Sequence, residues 1–318
     1  MESLMDNLIQ TLEREPALSW KVAVNIQGSR ESSPAAAQAA ERVRKAPLVK
    51  ALITTCARSR SAYKKWDGAH WVLSLLADLG YPAGDACLRP LMEHTFNTWV
   101  SAALHKDHAR LLEGRVRRCA SQEGYAVWSS LRLGFADDRT DSLVQSLLGW
   151  QWPDGGWNCD KHPQADTSSF METLIPLRAL ALYARVTSSP RVKDAAARAA
   201  EVFLCRHLYK RRRDGQVMDP HFVRLHYPLY WHYDILFGLK VLAEAGFISD
   251  PRCAAALDLL ESKRLPGGGF PAEESFARPN RPDLSGYSPV RWGGTSKKKP
   301  NPFVTADALY VLRCAGRS

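Results

Sequence analysis

The sequence predicts an all-α protein made of repeated helix pairs, and three observations lead to this prediction. Apolar residues recur at helical spacing along most of the chain, and no stretch alternates as a half-buried strand would. An unusual turn also occurs twice, as Gln151-Trp152-Pro153-Asp154-Gly155-Gly156-Trp157 and as Leu265-Pro266-Gly267-Gly268-Gly269-Phe270. Each copy follows an amphipathic run, and units of this size must pack side by side to bury their apolar faces.

The predicted helices follow one another with clear start and stop signals. Residues 1–60 form the N-terminal helices, in which Ser33 is an N-cap and Pro34 the first helical residue of a run that ends near Cys56. The next helix runs from Trp66 to Leu79 and ends at a glycine, as helices often do. Further helices are predicted on residues 123–133, 166–187, 190–210 and 228–245, and on a last run that ends at residue 316.

The spacing of the two turns indicates a repeat. From Gly134 to Trp157 is 23 residues, and from Gly246 to Phe270 is 24. The two copies start 112 residues apart, which is two periods of about 56 residues. We therefore predict a single domain over residues 1–318, with repeats on 61–316. Residues 271–300 lack helical periodicity and are predicted to form a long loop, a kind of segment that is often functional.

Composition and charge are those of a globular chain that can bury a large core. The 318 residues are 45% hydrophobic and 24% charged, with a net charge of +10. Basic residues cluster at 115–118, 210–213 and 297–299, and we expect these clusters to be solvated surface. Because they lack interleaved aromatic residues, we expect no nucleic-acid partner.

The cysteine pattern and the first residues of the chain indicate the cellular compartment. The seven cysteines include no CxxC pair, so neither a disulfide framework nor a zinc ribbon is indicated. The chain starts without the basic and apolar regions of a signal peptide, and no apolar run approaches the length of about 18 residues that suggests a membrane span. We expect a cytoplasmic protein and leave peripheral membrane contact open.

The first turn carries a family resemblance. Gln151, Gly155 and Trp157 have the spacing Q-x-x-x-G-x-W, which resembles the QW motif of squalene and oxidosqualene cyclases. More broadly, the helix-pair repeat with its GG-aromatic turn resembles the prenyltransferase and squalene-cyclase repeat superfamily over roughly residues 60–316. The resemblance implies an α/α toroid, complete or incomplete, in which inner helices surround a central cavity. It also implies that the glutamine and tryptophan of the turn are structural.

The catalytic motifs of that superfamily are not intact. In class II cyclases the acid motif is D-x-D-D-T. Asp166 and Thr167 match its last two positions, but Ala165 stands where the resemblance implies the proton donor. Protein prenyltransferases carry a D-x-C zinc pair, and here Asp166 is followed by Ser168 in place of the thiolate. Since a neutral hydroxyl is a poor zinc ligand, we expect no zinc or magnesium cofactor.

Candidate site residues lie in the N-terminal halves of the predicted inner helices. Aromatic faces stabilise cations by roughly 0.5–2 kcal/mol each, and a carboxyl group buried among them has a raised pKa and can act as a general acid. The predicted catalytic residues are Asp234, Asp166, His232 and Asp307. The predicted substrate-binding residues are Trp66, His70, Phe170, His226, Tyr230, Trp231 and Phe303. A capping role is the alternative for Asp166, because Asp-Thr-Ser is an ordinary helix start.

Three functions remain open on this basis. The leading hypothesis is a terpenoid-cyclase-like or prenyltransferase-like protein that binds or converts an isoprenoid or similar small apolar substrate in a central aromatic cavity. A carbohydrate-active enzyme on an α/α barrel is the second. The third is a non-catalytic toroid that binds lipid or another protein. A closed aromatic cavity would favour the first function, an open acidic groove the second, and a filled centre the third. The oligomeric state is left open.

Overall fold

Helices dominate the structure, a computed structural model that describes residues 2–100 and 110–317. The prediction of an all-α protein is confirmed at this level. The α-helices are α1 (Glu2–Glu13), α2 (Pro34–Lys45), α3 (Pro47–Cys56), α4 (Ala69–Leu79), α5 (Arg89–Trp99), α6 (Ser121–Arg132), α7 (Asp138–Trp150), α8 (Phe170–Thr187), α9 (Pro190–Leu204), α10 (Ile235–Glu244), α11 (Ala254–Ser262) and α12 (Pro302–Cys314). A π-helical segment, Lys21–Ile26, and four short 3₁₀ turns at Pro16–Leu18, Ala86–Leu88, Pro220–Val223 and Pro251–Cys253 complete the helical elements of the described chain.

The helix predicted from Ser33 to Cys56 is two helices in the structure. It starts as predicted, because Ser33 Oγ accepts a hydrogen bond from Ala36 N at 3.2 Å. It is interrupted at Ala46, where α2 ends and Pro47 opens α3. Proline disfavours the helical conformation of the residue before it, and this accounts for the break.

A small hairpin of β1 (Arg110–Leu112) and β2 (Arg115–Arg117) was not predicted. The strands pair antiparallel, with Leu111 opposite Val116. Glu113 and Gly114 form its two-residue turn and both have positive φ, 48° and 68°. Such a turn matches the twist of paired strands, but three-residue strands are too short to give a clear alternation in the sequence.

Five long helices pack in series through the middle of the molecule. Helix α4 contacts α6, α6 contacts α8, α8 contacts α10, and α10 contacts α12. The π-helical segment contacts α12. Five other helices pack beside members of this series, with α3 against α4, α5 against α4 and α6, α7 against α6, α9 against α8, and α11 against α10. Helices α4 and α10 are buried along almost their whole length, which explains their near-continuous apolar sequence.

The two Gly-rich turns share one hydrogen-bond pattern. In the first copy Trp152 N donates to Gly156 O at 2.8 Å, and in the second Leu265 N donates to Gly269 O at 2.9 Å. Each turn is then held by a threonine of the next long helix. The Trp157 amide donates to Thr173 Oγ1 at 3.2 Å, and the Phe270 amide donates to Thr305 Oγ1 at 2.9 Å. The sequence similarity of the turns therefore extends to their packing.

The first turn also joins helices that are distant in sequence. Gln151 Nε2 donates to the carbonyl oxygens of Gly155 and Ala195, at 2.7 and 2.8 Å, and Ala195 belongs to α9. Trp157 is fully buried, and its Nε1 donates to Leu147 O of α7 at 3.0 Å. The turn thus contacts α7 through the Trp157 side chain, α9 through the Gln151 side chain and α8 through the Trp157 backbone amide.

The segment between α11 and α12, residues 263–301, contains no helix or paired strand and packs on the N-terminal end of α4. Trp66 N donates to Tyr287 O at 2.9 Å, and Gly286 N donates to Lys65 O at 3.0 Å. Trp66 Nε1 donates to Phe276 O at 2.8 Å. These hydrogen bonds hold the segment against the aromatic side chains that precede α4.

Candidate functional site

Asp234 and His226 form a buried pair at the start of α10. Asp234 is the N-cap of this helix, and its Oδ1 accepts from Phe237 N at 2.7 Å. Its Oδ2 lies 2.7 Å from His226 Nδ1 and accepts from His226 N at 2.9 Å. Both residues are essentially inaccessible to solvent. The helix predicted from Pro228 starts only at Ile235, because Asp234 supplies the cap there.

The two histidines of this region have pKa values shifted in opposite directions. Burial opposes the charged form of His226, but the carboxylate of Asp234 and its hydrogen bond outweigh this and raise the pKa of His226. Burial, reinforced by the nearby positive charge of His226, lowers the pKa of His232 to about 3. His226 is therefore protonated more readily than a free histidine and His232 less readily, and their ring centroids lie 6.1 Å apart.

Predicted binding residues meet in one stack of rings. Trp66 lies on Tyr230 with a centroid distance of 4.0 Å and an interplanar angle of 8°. His232 is stacked between Trp231, at 4.4 Å, and Phe276, at 3.4 Å. Lys65 contributes a cation–π contact to Trp231, with its Nζ 4.8 Å from the ring centroid.

His70 extends this group toward α5. Its Nδ1 accepts from Trp99 Nε1 at 3.2 Å, and its ring lies edge-on to Trp71, at a centroid distance of 4.6 Å. Burial lowers the pKa of His70 to about 3, so the imidazole is neutral near pH 7. Its Nε2 is buried and finds no hydrogen-bond partner among the described residues.

The remaining predicted residues lie apart from this stack. Phe170 packs in a separate aromatic cluster, with Phe203 and Tyr233 at centroid distances of 4.7 and 4.9 Å. Phe303 is stacked on Tyr227, with a centroid distance of 4.8 Å. The structure therefore divides the predicted binding residues among three aromatic groups.

Asp166 is exposed and precedes α8 rather than starting it. The predicted helix over 166–187 begins at Phe170 in the structure. Asp154 of the Gly-rich turn holds the preceding backbone, because its Oδ2 accepts from Ser168 N at 2.7 Å. The Ser169 amide donates back to Trp157 O at 2.9 Å. These bonds keep the chain non-helical for several residues after Asp166, so this carboxylate lies outside the helix.

Almost no free volume remains among the tyrosine rings beside α4, although an open cavity of about 490 Å³ lies between Tyr227 and the segment 271–300. The void beside Tyr125, Tyr227 and Tyr230 measures about 10 Å³, which is about the space that a single water molecule needs. Trp66, Tyr230 and His232, which the sequence predicted to line a cavity, pack against one another here. They contact one another and the segment 271–300, because residues 226–234 fold inward instead of continuing as helix.

Asp307 belongs to a buried ion network in the middle of the long helices. Its Oδ1 accepts from Lys21 Nζ at 2.7 Å and from Lys240 Nζ at 2.9 Å. Asp78 accepts from the same two ammonium groups, both at 2.6 Å, and from Arg178 Nη2 at 2.7 Å. These five residues come from five different elements of the fold, and each is at least nine-tenths buried.

The charges of this network balance once Glu244 is included. Glu244 binds the Arg178 guanidinium through two bonds, of 2.5 and 2.7 Å, so three cations face three carboxylates. Burial opposes the ionised form of Asp78, but Lys21, Lys240 and Arg178 outweigh it and hold the pKa of Asp78 well below its usual range. The Asp78 carboxylate is therefore charged at neutral pH, whereas burial lowers the pKa of Lys240 despite the attraction of Asp307 and Asp78.

A large cavity lies on the other side of this network, at the C-terminal ends of the long helices. Its volume is about 580 Å³, and Asp78, Arg178 and Lys240 form its floor. The walls and rim are Trp20, Asn25, Glu31, Ala77, Trp128, Leu131, Arg132, Leu182, Arg185, Val186, Ala243, Glu244 and Tyr310. The volume falls within the range of about 300–1,000 Å³ typical of small-molecule sites.

Sequence reasoning missed Lys21, Asp78, Arg178 and Lys240, although a signal was present for three of them. Single charges interrupt the apolar runs LSLLADLG, LIPLRALAL and ILFGLKVLAE. An ionisable residue inside an otherwise apolar buried helix is rare unless it is paired. Isolated charges on several buried helices indicate that these charges pair with one another, and this pattern could have predicted the network.

The first basic cluster is largely buried, contrary to the expected solvated surface. Arg117 and Arg118 are 1% and 3% exposed. Arg117 donates to Ala165 O at 2.7 Å and lies over the Trp152 ring, while Arg118 pairs with Glu123. Because Trp152 and Ala165 both lie in the segment between α7 and α8, these contacts fasten the hairpin to the segment that contains the first Gly-rich turn.

Within the described part of the chain, one group of side chains is arranged as metal ligands usually are. It consists of Cys119, Cys159 and Glu172, whose ligand atoms lie within 4.8 Å of one another. It lies beside the N-terminal ends of α6 and α8, away from the large cavity. None of these three residues was predicted as a ligand, because their sequence spacing matches no common metal motif.

Comparisons with known proteins do not identify the chain. No model of a known protein family matches it, and no curated protein is found to be similar in sequence. Among the residues that the structure describes, no helix combines the length and apolarity needed to cross a membrane. Function must therefore be inferred from the site itself.

Proposed function

We propose that the protein is a divergent α/α toroid of the prenyltransferase and squalene-cyclase kind that binds a small isoprenoid-type ligand with an anionic head group. The contact series from α4 through α6, α8 and α10 to α12 supports the ring of helices that such a toroid requires. The π-helical segment contacts α12, and its first residue, Lys21, reaches Asp78 near the end of α4. The first and last members of the series are thus joined through this segment.

The observation that carries the ligand proposal is the cavity of about 580 Å³ at the C-terminal ends of these helices. One part of its lining is apolar and aromatic, with Trp128, Leu182 and Tyr310. Such a surface favours a hydrocarbon chain. The rest of the lining is charged, so a ligand that combines an apolar chain with a polar head group fits it better than a pure hydrocarbon does.

The charges at the rim favour an anion. The lining contains four cations (Arg132, Arg178, Arg185, Lys240) and three acids (Glu31, Asp78, Glu244), an excess of 4 − 3 = +1. Arg185 donates to the backbone carbonyl of Glu244 at 2.9 Å, and Arg132 pairs with the exposed Glu31. Exposed ion pairs contribute little, so these two guanidinium groups are available to an anionic head group at small cost.

We propose binding without a chemical step. Both oxygens of Asp234 already accept hydrogen bonds, and Asp307 is bound by two ammonium groups. Neither is poised to protonate an alkene, and the void of about 10 Å³ beside Tyr125 and Tyr230 is too small for an isoprenoid. The excess of cations in the large cavity also argues against the paired carboxylates of a carbohydrate-active site.

Titration with farnesyl diphosphate tests the proposal, with tryptophan fluorescence as the signal because Trp20 and Trp128 line the cavity. We expect saturable binding that is stronger than for farnesol or inorganic pyrophosphate alone. Arg185→Glu at the exposed rim should weaken it about tenfold or more, since it replaces an attraction by a repulsion. The matched control is Arg213→Glu, which makes the same charge change at an exposed position that does not line this cavity.

Two results would overturn the proposal. The first is that the native protein binds neither farnesyl diphosphate nor farnesol. The second is that Arg185→Glu and Arg213→Glu weaken binding equally, which would mean that the ligand responds to overall charge and lies elsewhere. Release of pyrophosphate during the titration would contradict binding without conversion and would favour an enzyme.

A further inference from the structure

Two thiols and a carboxylate converge beside the N-terminal ends of α6 and α8. The Sγ atoms of Cys119 and Cys159 and a carboxylate oxygen of Glu172 lie within 4.8 Å of one another, and Cys159 Sγ is 3.7 Å from Glu172 Oε1. In a tetrahedral zinc site with bonds of about 2.1–2.3 Å, two sulfur ligands are about 3.8 Å apart and a sulfur and an oxygen about 3.6 Å. The observed spacing is already close to that geometry.

Backbone pairing holds the two cysteines side by side. Arg117 and Asn158 form a parallel bridge, and the Arg118 amide donates to Asn158 O at 3.1 Å. Cys119 and Cys159 each follow this paired stretch directly. Their proximity therefore results from main-chain hydrogen bonds between two segments 40 residues apart in sequence, and it does not depend on one side-chain rotamer.

Glu172 is held by a hydrogen bond from the backbone and is largely buried. It belongs to the first turn of α8, and its Oε2 accepts from the Ser121 amide at 3.0 Å. This leaves Oε1 directed at Cys159. Glu172 is 9% exposed, and the neighbouring Arg118 is engaged by Glu123. A buried carboxylate is costly unless a cation or hydrogen bonds compensate it, and a bound metal ion would do so.

We propose that Cys119, Cys159 and Glu172 bind a zinc ion. Thiolate sulfur selects zinc over the oxygen-preferring magnesium and calcium ions, and carboxylate oxygen is also a common zinc ligand. Three protein ligands leave the fourth tetrahedral position to water. Binding releases the two thiol protons to solvent, so zinc affinity rises with pH. The site is independent of the ligand proposed for the large cavity.

The test uses the full-length native protein, purified with a reductant and freed of metal by a chelator. We expect it to take up one zinc ion per chain and to melt at a higher temperature with zinc than without. Cobalt(II) substitution should give the absorption of thiolate-to-cobalt charge transfer, a direct sign of cysteine ligation. This measurement needs no variant, so it remains decisive if a variant fails to fold.

Variants then assign the ligands. Cys159→Ser and Glu172→Gln should each weaken zinc binding at least as much as loss of an outer-shell partner does, about 10- to 100-fold. The matched control is Cys87→Ser, an exposed cysteine far from the cluster in sequence, which should leave zinc uptake unchanged. Absence of the charge-transfer band overturns the proposal. So does equal zinc uptake by native protein and Cys159→Ser, or a Cys119–Cys159 disulfide in the reduced preparation.

Discussion

Lys21 Nζ donates to Asp78 Oδ2 at 2.6 Å, although the two residues are 57 positions apart. This contact joins the π-helical segment to the last turn of α4. Trp20 packs at the same junction, where a Cβ added to Gly80 would come within 2.2 Å of its indole ring. The charge pair and this close packing together fix the N-terminal segment at the floor of the large cavity.

Removing the Asp78 charge should destabilise the protein strongly. Asp78→Asn leaves Lys21, Lys240 and Arg178 buried with one carboxylate fewer, and breaking a buried network of this kind costs about 3–5 kcal/mol. Urea unfolding measures the loss. Asp283→Asn is the control, because Asp283 is exposed and its ion pair with Arg281 lies at the surface. Equal stability of Asp78→Asn and native protein would mean that the network does not form in solution.

Two glycine-to-alanine changes should have opposite effects. Gly155 has φ of +100°, and a Cβ there would lie 2.2 Å from Arg198 O, so Gly155→Ala should cost about 1–3 kcal/mol. Gly149 lies within α7, where a Cβ meets no atom within 4 Å, so Gly149→Ala should stabilise the protein by about 0.5–1 kcal/mol. Thermal unfolding compares them. Similar effects of both changes would contradict the packing of the turn against α9.

Stability should depend on the protonation of His226. Its pKa is raised in the folded state, since the attraction of Asp234 exceeds the opposing effect of burial. The pair therefore stabilises the folded protein fully below about pH 6.5, the pKa of histidine in the unfolded chain. This stabilisation is lost as the pH rises through the higher pKa of His226 in the folded protein. Urea unfolding at several pH values should show this loss in native protein and not in His226→Gln. The same pH dependence in both proteins would contradict the pair.

Other charges near His226 are part of this measurement. Glu274 also raises the pKa of His226, while the neighbouring His232 is neutral. Glu274→Gln should therefore reduce the pH dependence slightly, and Asp234→Asn should remove most of it. The same change also removes the carboxyl group that the sequence predicted to act as a general acid, a role that stays a prediction.

His70 and His232 should remain neutral well below their usual range. Burial lowers the pKa of each to about 3. The unfolded chain takes up these protons below about pH 6.5, so the stability that the neutral rings contribute is present above that pH. It falls on acidification toward pH 3. Nitrogen-15 NMR of the imidazoles at pH 5 should show neutral rings at both positions. Protonated rings at that pH would mean that the aromatic end admits water.

Local patterns made several features predictable. Ser33 and Pro34 indicated the start of α2, and Gly80 the end of α4, because caps are encoded within a few residues. The two Gly-rich turns indicated the repeat, and their shared hydrogen bonds to Thr173 and Thr305 are found in the structure. The predicted starts of α8 and α10 were less accurate, because side-chain hydrogen bonds of Asp154 and Asp234 determine them. Hydrophobic periodicity does not reveal such bonds.

The sequence by itself determined the helical class, the likeness of the two Gly-rich turns and their positions, because these depend on residues close together in the chain. Only the tertiary structure decided what those helices enclose. It brought Lys21, Asp78 and Asp307 into one network and set Cys119 beside Cys159. It also packed Trp66 against Tyr230 and His232, which the sequence had predicted to line a cavity. Such contacts depend on how side chains from distant segments share a limited volume and balance their charges, and no local pattern specifies that.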